Sequence, residues 1–369
     1  MEHNPGYFSE IVYLRAFAIL AVISIHESEY FFTEMSGINF LTFLYMSIDT
    51  FSKCAVPLFV GISGFVLYNK YRGSYSLRIF YKKRFLSVVP QYTLFSFLAL
   101  LFVYIGRMYL GRAWNYTATD ILYQYFTGGA LYHLWFFILI IQLYILYPLI
   151  EKMFTKSIEK AKASYLLVFL FMVQLAYYLL FPADIFLKGT VLLFLPYVVY
   201  FVLGMYARTY YDRVKNGVTV VQKHPYGVSA GLLCATTVGI GATYIRYFGH
   251  DLLPGITSLT NWIDAIITPF YYIIIFAVGV FTALKISELV PSGSTRLLHT
   301  IGSYSMGIFL IHAFILYALE SVLFIKLGFD VNNGLFFPVV FALVLGLSLA
   351  FVYVMNKVPY HEYIIGSSR

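Results

Sequence analysis

Two residues in the first apolar stretch are of types and spacing that could do chemistry together. From Glu10 the chain reads EIVYLRAFAILAVISIHESEYFF, so Arg15 and His26 fall inside a run long enough to cross a bilayer. Placing a cation and a titratable imidazole in hydrocarbon is costly, so residues of this kind point first to function. Eleven residues at about 100° each make almost a whole number of helical turns, and both side chains therefore leave one face. At about 1.5 Å per residue they stand roughly 16 Å apart along the axis. An anion-binding cation near one membrane surface can thus serve a proton-transfer group deeper in the membrane, along one groove. Glu29 follows His26 by three residues and shares its face, whereas Glu27 points about 100° away. A carboxylate beside an imidazole fixes its tautomer and stabilises the imidazolium. The plainer reading of Glu29 is a charge reaching water at the helix end.

Further candidates follow in chain order. In SIDTFSKCAVPLFVGISGFVLY, Asp49 and Lys53 are four apart and can pair on one helix face. The second span runs back through the membrane, which puts them at about the depth of His26, either at the site or as a self-neutralising pair. Pro57, Gly61 and Gly64 then predict a kink or a close helix approach. The basic run Tyr81-Lys82-Lys83-Arg84, with Pro90 just beyond it, lies on the same side as Arg15. Topology alone produces such runs, but two cation sources at one mouth suit a polyanion such as the phosphates of coenzyme A. In LYHLWFFILIIQLYILYPL, His133 and Trp135 fall at the other interface, where Trp is common anyway. In IGSYSMGIFLIHAF, His312 lies mid-membrane behind the small residues Gly302, Ser303, Ser305 and Gly307, as a packing residue or part of the site.

The elements that must position these residues are membrane helices. The chain is 60% hydrophobic and only 11% charged, where a soluble domain carries about 25% charged residues. The expected fold is all-α and polytopic. Apolar runs of about 20 residues predict ten spans, at 11–32, 43–68, 85–106, 133–150, 164–181, 189–207, 226–246, 262–284, 301–323 and 335–356. With the N-terminus inside, inner segments hold 18 Lys and Arg and outer segments 5. That asymmetry predicts both termini inside. It also explains the net charge of +8 without nucleic acid. The aromatics, 20% of the chain, suit interfacial belts and an aromatic-lined cavity. Cys54 and Cys234 fall in apolar spans and read as small buried hydrophobes, not as a disulfide or a metal site. Met1 to Glu10 lacks the basic start of a cleaved signal peptide. Residues 1–369 read as a single transmembrane domain with no appended soluble domain, so any chemistry must come from the bundle.

Taken together, these stretches resemble acyltransferase family 3, the ten-span integral-membrane O-acyltransferases that modify bacterial surface glycans, lipids and some antibiotics. The resemblance covers most of the chain. YLRAFAILAVISIH carries the family's Arg-x10-His, CAVPLFVGISGF is similar to its VPxFFxxSGF signature, and YKKRFLSVVPQY to its KRxxRIxPxY. HLWFFILIIQLYILYPL and SYSMGIFLIH resemble its WFL and SYGIYLIH segments. One position departs: the second Arg of the family's RxxR is Ser87, which leaves Arg84 alone. The VP and Lys53 version looks closer to the branch acting on cell-envelope glycans, including the membrane proteins of intercellular polysaccharide adhesin synthesis.

The resemblance implies transfer of an acyl group, commonly acetyl, from cytoplasmic acyl-CoA to a hydroxyl of a glycan or lipid-linked sugar, with no metal. Arg15 and His26 inherit the donor-handling and catalytic roles. Arg84, with Lys82 beside it, inherits the cytoplasmic donor contact, and Glu29, Asp49, Lys53 and His312 stand as further site candidates. His26 is either general base on the acceptor hydroxyl or transiently acylated itself. Expected partners are the acyl-CoA, the glycan or glycolipid acceptor, membrane lipids and other glycan-synthesis proteins, in a bacterial or archaeal cytoplasmic membrane. The rival reading is an exporter of polysaccharide or lipid-linked sugar, which equally needs charges in its spans.

Overall fold

Backbone polar groups in hydrocarbon must be satisfied within the chain, so long apolar runs become helices. The computed structural model describes residues 8–366 apart from 36, 38, 110, 112–113, 181–192, 217–232, 234–235, 242–243, 245–256 and 291–292. Among the described residues there is no strand, and the helices are α1 (Ser9–Glu34), α2 (Phe40–Ser52), α3 (Ala55–Tyr71), α4 (Leu77–Leu86), α5 (Val89–Tyr109), α6 (Ala118–Thr127) and α7 (Trp135–Glu159). They continue as α8 (Ala163–Leu180), α9 (Val198–Thr209), α10 (Thr257–Leu289), α11 (Arg296–Ser303), α12 (Ser305–Glu320) and α13 (Phe336–Met355), with a π-helical turn at Ser321–Lys326.

Proline decides where two of the runs break. A proline cannot donate to the carbonyl four residues back, and its ring clashes with that carbonyl. For Pro57 that residue is Lys53, where α2 gives way to α3; for Pro90 it is Leu86, the last residue of α4. Taking each broken pair as one span, eight helical segments among the described residues are long and apolar enough to cross a membrane. They match eight of the ten expected runs. Of the other two, 189–207 contains α9, 12 residues, and its first four residues lie outside the described ones. The run 226–246, with Cys234, lies mostly outside the described residues.

The first helix is the hub of the bundle. It packs against α2, α3, α10, α11, α12 and α13, so Glu10, Glu27 and Ser28 are buried against protein, and Arg15 and His26 partly so. Small residues allow the closest approaches, as their positions in the sequence suggest. A Cβ at Gly64 would lie 2.0 Å from the Phe201 carbonyl oxygen, and one at Gly204 would lie 1.9 Å from that of Gly61. The backbones of α3 and α9 are therefore in direct contact. Gly302 does the same for α11 against α1, where a Cβ would meet the Val12 carbonyl at 2.0 Å. Polar side chains between helices find partners: Tyr147 Oη donates to the Leu67 carbonyl at 3.2 Å, and Gln174 Nε2 to Tyr200 Oη at 2.9 Å.

Candidate functional site

Arg15 and His26 sit on one uninterrupted helix, as their spacing requires, and each is partly buried. Arg15 lines a cavity of about 310 Å³ between α1, α3, α4, α7, α11 and α12. Arg84 lines it too, together with Ser63, Tyr144 and Ser303. The four-residue spacing of helical turns explains why Arg84 turns inward while Lys82, about 200° away on α4, is exposed and outside the cavity. Lys83 is exposed as well. Of the expected donor contacts on this run, the cavity therefore takes only Arg84. The Arg84 guanidinium stacks over the Tyr71 ring at 5.6 Å, and the Tyr144 hydroxyl lies near both Arg84 and Ser63. Arg84 Nε is buried without a hydrogen-bond partner. A buried donor left unmade costs free energy, which an anionic ligand in the cavity would recover.

The far end of this cavity is closed by phenylalanines. Phe59, Phe136, Phe137 and Phe309 line it, and the Phe309 ring centroid lies 6.3, 5.3 and 5.8 Å from those of Phe59, Phe136 and Phe137. On its other side Phe309 meets histidines, His133 at 5.3 Å and His312 at 5.8 Å. The groove expected between Arg15 and His26 is thus interrupted by an aromatic floor one ring thick.

Behind that floor three histidines from three helix neighbourhoods converge. The His312 ring is 5.7 Å from His26 and 5.1 Å from His133. His312 is fully buried. Its Nδ1 faces the carbonyls of Phe309 (2.8 Å) and Ile308 (3.2 Å), so Nδ1 carries the proton and donates. Nε2 is left with a lone pair and no protein partner, which makes it an acceptor. His133 is 2% exposed; the Leu310 carbonyl lies near it, yet neither ring nitrogen completes a hydrogen bond. His133 is the functional candidate that the sequence reading left at the interface. The turn of 131–134 before α7 folds it inward, where a flat reading of hydropathy leaves it at the rim. No cluster of three or more His, Cys, Asp or Glu among the described residues is arranged to hold a metal ion.

His26 has a second neighbour on the side away from Arg84. The Tyr132 ring is 4.4 Å from it and is 41% exposed, so this tyrosine links His26 to the surface at the loop before α7. Glu29 is exposed on this side and within electrostatic reach of Tyr132. The buried carboxylate is Glu27 instead, fully enclosed and facing Glu320, with Tyr45 of α2 and Phe341 of α13 nearby. Asp49 and Lys53 do pair, at 2.7 Å, with Asp49 almost fully buried. They stand at the α2–α3 break, outside the cavity that holds Arg15 and Arg84, with Tyr271 of α10 in electrostatic reach of Asp49. A second void of about 590 Å³ lies close by between α1, α2, α3 and α10, lined by Phe17, Leu20, Phe51, Leu58 and Val278 among others, none of them charged.

The arrangement therefore has cations at one end, a narrow cavity, an aromatic floor and, behind it, a set of imidazoles beside the partly exposed Tyr132. It can hold an anionic head, lead a thin arm inward and accept a proton deep in the bundle. An acyltransferase-domain family model matches residues 8–353. No curated protein and no solved structure is similar enough to the chain to match it.

Proposed function

Because the chain belongs to acyltransferase family 3, it is a membrane acyltransferase, and we propose that it moves a short acyl group from acyl-CoA to a hydroxyl of a surface glycan or lipid-linked sugar. The observation that carries this reading is the cavity shared by Arg15 and Arg84, whose inner end abuts the histidines. At about 310 Å³ it is at the small end of ligand sites. It suits a pantetheine arm with the diphosphate at its mouth and leaves the nucleoside outside, where the exposed Lys82 and Lys83 add only long-range attraction. Arg84, with its orphaned Nε, and Arg15 take the phosphates. Arg84 lies at the cytoplasmic end in this reading, since the 18-to-5 excess of Lys and Arg marks that side.

The acceptor hydroxyl comes from the opposite side, past Tyr132. As its oxygen attacks the thioester carbon, His26 takes the hydroxyl proton. The C–O ester bond forms, the C–S bond breaks, and the thiolate leaves with a proton returned from the imidazole. His312 stands beside His26, ring centroids 5.7 Å apart, with an Nε2 that has no partner among the described residues and is free to accept a proton or a substrate hydrogen bond. A transient acyl-imidazole on His26 fits the same geometry, with the hydroxyl attacking second.

The test is direct. Purified protein in proteoliposomes is given acetyl-CoA labelled in the acetyl group, with candidate glycans and lipid-linked sugars. Label appearing in an ester of the acceptor supports the reading. Sugar crossing the vesicle membrane with no acyl transfer would make the protein an exporter instead.

A further inference from the structure

We propose that Phe309 is the residue that limits the size of the acyl group, acting as a swinging aromatic plug between the donor cavity and the histidines. This rests on the acyl-CoA reading above and assigns a role that the reading leaves open. The argument is one of position. Phe309 lines the cavity that holds Arg15 and Arg84, and its ring also touches His133 and His312. A thioester carbon advancing from the arginines toward His26 therefore meets this ring before it meets an imidazole. Phe309 is 5% exposed and packed by Phe59, Phe136 and Phe137, so in its present rotamer it fills the way between the cavity and the histidines. It sits one turn before its histidine: Phe309 and His312 are three apart on α12, on neighbouring faces.

Two consequences follow from an apolar ring in that place. With the plug in, the histidines are separated from the water of the cytoplasmic mouth, which protects a bound thioester from hydrolysis. With the plug swung aside, the space it leaves is about that of its own ring, bounded by Phe136 and the histidines. A two-carbon acyl group passes, and each added methylene competes with the displaced ring for the same volume. A hydrophobic site distinguishes one methylene by about 10–200-fold, so a change of this single side chain is enough to move the chain-length preference.

The experiment uses the full-length protein in native membranes, with acetyl-, butyryl- and octanoyl-CoA labelled in the acyl group, and counts label retained by membrane glycans. Free thiol released in excess of the label transferred reports hydrolysis in the same samples. Phe309→Ala and the milder Phe309→Leu are expected to raise the butyryl-to-acetyl transfer ratio, by about tenfold or more for Ala, and to raise hydrolysis of acetyl-CoA relative to transfer. Phe309→Trp is expected to lower transfer of every acyl group while unlabelled CoA still competes for donor binding. An active Phe309→Leu or Phe309→Ala protein with the wild-type ratio and no added hydrolysis overturns the inference and leaves the acyl-CoA reading standing. Wild-type membranes that transfer no label from any of the three thioesters overturn both.

Discussion

Replacing Arg84 with glutamine isolates what the cation does. In the structure its Nε is buried and unpaired, its guanidinium face covers Tyr71 at 5.6 Å, and it shares its cavity with Arg15. Loss of one charge-assisted hydrogen bond to a phosphate is worth about 1.5–3 kcal/mol, which is about a ten- to hundredfold change in an equilibrium constant. The contact is made equally with bound donor and with the transition state, since the phosphates take no part in bond exchange. Arg84→Gln should therefore raise the KM for acetyl-CoA about ten- to hundredfold and leave kcat nearly unchanged. Arg84→Lys should fall between, because it keeps the charge and loses the planar fork. Lys82→Gln should do little, as Lys82 is exposed and outside the cavity. Initial rates over a range of acetyl-CoA concentrations in inside-out vesicles measure all three. Raising salt should weaken donor binding in the same direction, through screening at the solvated mouth. A donor KM within twofold of wild type in Arg84→Gln would refute the reasoning and make the cation a topology signal alone.

Further perturbations address the rest of the site and the bundle. His26→Ala should lower transfer by about 10²–10⁴-fold at unchanged expression and thermal midpoint; substantial retained activity would make His26 a packing residue. In a cysteine-free background, a cysteine at the exposed Ala118 should react with an impermeant maleimide in intact cells, and one at the exposed Ser74 should not. The reverse pattern would invert the orientation read from the charges. Gly204→Ala places a Cβ 1.9 Å from the Gly61 carbonyl, so α3 and α9 must part. The overpacking cost of about 1–3 kcal/mol exceeds the roughly 1 kcal/mol that alanine adds in a helix. The detergent-solubilised protein should therefore unfold at lower temperature, and a raised midpoint would show the two helices to be less tightly held.

Which properties are local and which are not explains how much could be read in advance. Hydropathy and helical periodicity act along one chain segment, so the polytopic all-α fold, eight of the spans and the shared face of Arg15 and His26 on one helix were all legible in the residues. So was the Asp49–Lys53 pair, since residues four apart on a helix are neighbours wherever the helix goes. Pro57 marked the break near Lys53 for the same local reason, whereas the break that Pro90 makes near Leu86 was not among the expectations. The composition of the site was another matter. His133, His312 and His26 come from segments more than a hundred residues apart, and their meeting depends on how α1, α7 and α12 rotate and cross. Glu27 and not Glu29 is enclosed because α2 and α13 cover that side of α1. Arg84 and not Lys82 reaches the cavity because packing of α4 selects one phase of a uniformly basic run. Phe309, apolar and unremarked in an apolar helix, gains its position from the rings around it, and only tertiary packing could set it between the arginines and the histidines.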